Sequence, residues 1–182
     1  MQEVIMAGFG GQGVMLIGKL LAYSGMEEGK EVSWLPSYGP EMRGGTANCT
    51  VVLSERPIGS PVIETPSACI IMNRPSLDRF GKKVKKNGLL IINSSLIDVP
   101  DFQSDAEVVY VPCNQLAIQC GNGKAANMIA LGAYIGKSGA VKLETVLNQI
   151  KHQFSSNPKF VELNLITLQR GYDLVKNQPA KQ

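Results

Sequence analysis

Short unbroken apolar runs alternate along this chain with longer stretches whose apolar residues recur every three or four positions. A run of four or five aliphatic residues closed by glycine or proline reads as a strand buried on both faces. The runs at 3–7, 68–72, 89–93 and 108–111 are of this kind, and 30–35 and 46–53 supply two more strands, the former ended by Pro36. Helical spacing appears at 13–26, with Gly29 as a stop, and at 76–87, with Leu77, Phe80 and Val84 on one face and Gly88 as its stop. The last third is mostly helical: 125–137 is rich in small apolar residues, Leu143, Val146, Leu147, Ile150 and Phe154 mark one amphipathic helix, and Val161, Leu165, Leu168, Tyr172 and Val175 mark another. Asn157 and Pro158 read as cap and first residue of that last helix. Strands alternating with helices predict an α/β fold: one three-layer domain over residues 1–176, an open and mostly parallel sheet with helices on both faces, Rossmann-like, and a short tail at 177–182.

Composition narrows the function. With 182 residues the chain can bury one sizeable core. One Trp, five Tyr and five Phe leave little for a base-stacking surface, and a net charge of +3 is small for a polyanion partner, so no nucleic acid is expected. No apolar stretch is long enough to span a bilayer, no signal peptide is read at the start, and a reducing, cytoplasmic setting is expected. Cys49, Cys69, Cys113 and Cys120 lie far apart without a Cys-x-x-Cys, so neither a zinc knot nor an iron–sulfur run is expected within the chain; Cys49 and Cys69 read as core residues. The one histidine, His152, has no companion for metal or triad chemistry.

Two glycine-rich loops hold the candidate chemistry. Gly8-Phe9-Gly10-Gly11-Gln12-Gly13 follows a strand and precedes a helix, the arrangement that brings backbone N–H groups to a phosphate or to a neighbouring chain. A dinucleotide site would need a carboxylate at the end of the second strand, which instead runs Val32-Ser33-Trp34-Leu35-Pro36-Ser37. Close helix–strand packing explains the glycines equally well. The second loop, Ser37-Tyr38-Gly39-Pro40-Glu41-Met42-Arg43-Gly44-Gly45, places Tyr38, Glu41 and Arg43 among three glycines. Arg43 can fork onto a phosphate or carboxylate, or pair with Glu41 and brace the loop. Gly121-Asn122-Gly123-Lys124 forms either an anion nest or a plain turn into a helix. The basic group Arg79, Lys82, Lys83, Lys85 and Lys86 reads either as a patch for an acidic partner or as the wet face of a helix. No catalytic residue is assigned: nothing here pairs a nucleophile with a base or opposes two carboxylates.

Taken in order, Gly8 to Val14, Ser37 to Ala47, Pro57-Ile58-Gly59-Ser60-Pro61, Gly121-Asn122 and Asn127 to Gly132 resemble the gamma subunit of 2-oxoacid:ferredoxin oxidoreductases, over roughly residues 3–175. The resemblance is greatest to the gamma subunit of the 2-oxoglutarate enzyme; pyruvate, branched-chain and indolepyruvate relatives share the blocks. It implies a multisubunit enzyme that converts a 2-oxoacid and coenzyme A to acyl-CoA and CO2 and reduces ferredoxin or a similar acceptor. Alpha, beta and delta partners would hold thiamine diphosphate, magnesium and [4Fe–4S] clusters. This chain would hold no cofactor alone, insert in no membrane, and present Gly10, Gly11, Gln12, Gly13, Tyr38, Glu41, Arg43 and Gly44 to coenzyme A or to a partner. An independent NAD- or FAD-binding protein and a purely structural assembly subunit are the competing readings.

Overall fold

In the computed structural model, which describes residues 1–38, 45–99 and 101–176, six strands form one sheet in the order β2-β3-β1-β4-β5-β6. They are β1 (Gln2–Phe9), β2 (Glu31–Tyr38), β3 (Thr46–Ser54), β4 (Ala68–Ile71), β5 (Leu89–Asn93) and β6 (Glu107–Val111). β1, β4, β5 and β6 pair in parallel, whereas β3 runs antiparallel to both β1 and β2. β2 therefore points the same way as β1, and β3 alone is reversed. The fold is the expected α/β sheet, mostly parallel, with one antiparallel hairpin at its edge.

β4 and β5 are buried at every position, as continuous aliphatic strings require. β2 is the outer strand and continues through Pro36 to Tyr38, past its expected end. On an edge strand the missing proline N–H can face solvent, so no ladder bond is lost.

The helices are α1 (Val14–Glu27), α2 (Arg74–Phe80), α3 (Cys113–Gln119), α4 (Ala126–Ser138), α5 (Leu143–Gln153) and α6 (Pro158–Lys176). One face of the sheet packs against α1 and α4, over which α3, α5 and α6 lie in turn, through a large core that includes Met6, Ile17, Leu20, Val51, Ile70, Ile91 and Ile129. The other face is covered by α2 and a 3-10 turn at Gly81–Lys83, over Ile5, Cys69, Ile71, Leu90 and Ile92. This second cover stops at β1: among the described residues no helix lies over β2 and β3 on that side, so the helical layer expected on both faces is incomplete there. The helix expected at 76–87 ends at Phe80. Gly81 packs tightly against Leu77 and Phe102, and the backbone becomes extended at Val84, so Lys85 and Lys86 lie outside any helix.

α4 and α6 cross in backbone contact. A Cβ on Gly132 would stand 2.1 Å from the Leu168 carbonyl oxygen, and one on Gly171 would stand 2.1 Å from that of Ile129. α1 is tied to the start of α5 by Glu28, whose carboxylate accepts from the Lys142 N–H at 2.6 Å and from Lys30 Nζ at 2.8 Å, while Lys30 also donates to the Ala140 carbonyl.

Candidate functional site

The carboxyl ends of β1 and β2 lie at one end of the sheet, since Phe9 pairs with Thr46 and Tyr38 with Ala47. Both glycine loops therefore meet there. The Gly10 N–H donates to the Gly45 carbonyl at 2.9 Å and joins them directly. Glu41, Arg43 and Gly44 lie outside the described residues, as do Gly39, Pro40 and Met42. Tyr38 is 63% exposed at the rim.

Gln12 holds the first loop by its side chain. Its Oε1 accepts from the Phe9 N–H at 2.7 Å and from Asn73 Nδ2 at 3.3 Å, and its Nε2 donates to the Met72 carbonyl at 3.1 Å. The Gln12 N–H donates to the Phe9 carbonyl. The donors of Gly10 and Gln12 are thus used within the fold. Gly11 is exposed, at φ +97° with open space where a Cβ would stand. Gly13 has φ +73° and sits against Asn127, whose Nδ2 donates to its carbonyl at 3.2 Å. A side chain there would collide with the Asn127 amide and strain the backbone.

That contact brings the start of α4 beside the start of α1. Three helices, α1, α2 and α3, follow strand ends, whereas α4 follows α3, and the caps of these four divide them. α2 is closed by Asn73, whose Oδ1 accepts from the Ser76 N–H at 2.9 Å. The first N–H groups of α3 are taken by Asn93 Oδ1 and Ser95 Oγ from the preceding loop. α1 and α4 have no side-chain cap among the described residues. Their first-turn N–H groups and dipoles favour negative charge, which makes this corner the place on the sheet suited to a phosphate or carboxylate. Within the turn before α4, Gly121 is left-handed at φ +78°, Lys124 is exposed, and Asn122 Nδ2 is buried without a partner among the described residues.

Nucleophilic and metal chemistry find little support in these side chains. Burial pushes the thiols of Cys49 and Cys69 up to about 12 and that of Cys113 higher still. No three His, Cys, Asp or Glu side chains cluster among the described residues. His152 is exposed on α5. No described helix is long and apolar enough to cross a membrane.

Comparison with known proteins decides the family. Residues 3–174 match the family described as pyruvate ferredoxin/flavodoxin oxidoreductase. The chain belongs to this family. The ketoisovalerate oxidoreductase subunit VorA of Methanothermobacter marburgensis is 38% identical over 94% of the chain, which spans only 36% of VorA. The 2-oxoglutarate synthase subunit KorC of Methanothermobacter thermautotrophicus is 32% identical, with 96% of this chain and 95% of KorC covered. The crystal structure of a keto/oxoacid ferredoxin oxidoreductase gamma subunit from Geobacter sulfurreducens matches with a TM-score of 0.83 and 26% identity, over 96% of this chain and 98% of that one. The family resemblance carried by the glycine blocks holds. Asn127 is the residue of the site that local pattern could not supply: it stands 114 positions from the carbonyl it binds.

Proposed function

We propose that this chain is the gamma subunit of a cytoplasmic 2-oxoacid:ferredoxin oxidoreductase, an enzyme that converts a 2-oxoacid and coenzyme A to acyl-CoA and CO2 with reduction of ferredoxin or a similar acceptor. Alpha, beta and delta partners carry thiamine diphosphate, magnesium and the [4Fe–4S] clusters; thiamine diphosphate supplies the decarboxylation chemistry. The chain's own part is to complete the assembly and shape the approach of coenzyme A. The observation that carries this reading is the corner where the two glycine loops and the uncapped starts of α1 and α4 meet. Phosphates of coenzyme A suit the N–H donors at Gly11, Gly13 and the α1 start, which find no partner among the described residues, with Tyr38 at the rim and Glu41, Arg43 and Gly44 in the second loop. Gln12 positions the first loop through Met72 and Asn73.

The substrate proposed is 2-oxoglutarate, on the near-complete mutual coverage with KorC. A branched-chain 2-oxoacid is the second reading, favoured by the higher identity to VorA. Arg43→Ala in the reconstituted complex tests the role of the loop: the KM for coenzyme A is expected to rise about tenfold with kcat little changed. If neither assembly nor that KM changes, the loop has no such role.

A further inference from the structure

The positive charge of this chain is gathered in one place. Between Arg79 and Lys86 stand five cations and no carboxylate, whereas outside this stretch thirteen cations face fifteen carboxylates. These eight residues therefore carry more positive charge than the whole chain's net +3. Of the five, only Lys85 is ion-paired among the described residues, with Glu3. Arg79 and Lys83 lie over the Phe80 ring, 4.9 and 5.8 Å from its centroid.

A solvated helix face does not explain this arrangement. α2 ends at Phe80, and Lys82, Lys83, Lys85 and Lys86 rim a cavity of about 650 Å³ whose floor is Ile5, Phe80 and Val84, with Ile63 and Glu64 also lining it. A cross-strand row continues that floor: Cys69, Ile5, Thr50 and Leu35 are register partners on β4, β1, β3 and β2. Along this row exposure rises from 4% at Ile5 to 45% at Leu35, because the helical cover stops at β1. An apolar floor under a lysine rim thus opens onto the stretch of sheet around Thr50 and Leu35 that no described helix covers, while Val52, further along β3 on the same face, is buried.

We infer that the lysine rim, the cavity over Ile5 and the accessible sheet surface around Thr50 and Leu35 form a docking surface for an acidic segment of a partner polypeptide, its carboxylates over Lys82, Lys83 and Lys86 and an apolar side chain in the cavity. The inference rests on the chain's being a subunit. A second copy is disfavoured, since two such patches would repel. A small polyanion would use the lysines and leave the apolar floor and Leu35 without a role. Rim charges of one sign speed encounter with an oppositely charged surface and make it salt-sensitive.

The test uses the chain co-expressed with the polypeptides that co-purify with it. A zero-length carbodiimide cross-linker on the wild-type complex is expected to join Lys82, Lys83 or Lys86 to aspartates or glutamates of one partner. The triple variant Lys82→Glu, Lys83→Glu, Lys86→Glu is expected to associate roughly tenfold more slowly at low ionic strength and with a weaker salt dependence. A control reversing Lys151 and Lys159 is expected to associate as wild type. Cross-links confined to other surfaces together with unchanged association overturn the docking surface. So does a finding that tripolyphosphate shields these lysines from acetylation while the partner does not. A wild-type chain that joins no partner sinks the subunit reading first, which is recognised before any variant is made.

Discussion

Replacing Gly132 by alanine places a methyl carbon where α6 already stands. The new Cβ would lie 2.1 Å from the Leu168 carbonyl oxygen and 2.9 Å from the Tyr172 nitrogen, both backbone atoms of a helix interior. A carbon meets an oxygen comfortably at about 3.3 Å, so the two helices must part by roughly 1.2 Å along the contact. No rotamer relieves this, because the obstacle is main chain. Alanine recovers about 1 kcal/mol of helix propensity. Against that stand an overpacking cost of about 1–3 kcal/mol and the dispersion lost where Ile129, Leu168 and Val175 no longer meet closely; a gap of about 1 Å forfeits up to about half of each contact. The net expectation is a loss of about 2 kcal/mol. Urea unfolding of the purified chain, followed by far-UV circular dichroism and by the single tryptophan, Trp34, should show a midpoint lower by about 1 M. Gly59→Ala, where nothing lies within 4 Å of the added carbon, is the control and should unfold as wild type. A Gly132→Ala midpoint within about 0.3 M of wild type refutes the backbone contact as a source of stability.

Iodoacetamide at pH 8 should label the folded chain once, at half-exposed Cys120, because burial holds the thiols of Cys49 and Cys69 near 12 and that of Cys113 above them. Peptide mapping that finds a second cysteine modified natively at a comparable rate contradicts this. For Glu28, burial alone would raise the carboxyl, but hydrogen bonds from Lys30, the Lys142 N–H and Thr145 outweigh it and hold it below the usual carboxylate range. A depressed carboxyl gives stability that is present above its unfolded value of about 4.3 and is lost as pH falls through the folded value. Glu28→Gln should therefore be less stable than wild type at pH 7, with the gap closing below about pH 4; thermal melts showing the same gap at both pH values reject it.

How far the fold could be read depended on how local each signal was. β4 and β5 are aliphatic strings closed by turn residues, and Asn157 does cap α6, its Oδ1 accepting from the Phe160 N–H at 3.1 Å. β3 was legible as a strand but not in direction, because alternation is the same whichever way a strand runs. The Leu77, Phe80 and Val84 spacing continues after α2 has ended, so the period alone predicts too long a helix; the three residues still share a core across the change of backbone. α3, seven residues long, is too short to show a period and is fixed by Asn93 and Ser95, some twenty positions earlier. The glycines of the first loop announced a turn, but neither the use of Gln12 as a brace to Met72 nor the approach of Asn127 to Gly13 leaves a trace in the neighbouring sequence.

The reversed strand is what makes the site one place rather than two. After a parallel crossover the chain would leave the carboxyl end of β2, pass over a face of the sheet and re-enter at the opposite end. Because β3 instead turns straight back between β2 and β1, the far end of the second loop returns to the same edge, and its Gly45 carbonyl reaches the Gly10 N–H. The hairpin also accounts for the missing helical cover: a hairpin needs no crossover helix, and among the described residues none is laid over β2 and β3 on the side away from α1. The same choice of strand direction therefore joins the glycine loops at one end of the sheet and leaves the surface assigned to an acidic partner without a helix over it among the described residues. A parallel β3 would have separated the loops, and the crossover helix needed to reach it would have had to pack on one face of the sheet.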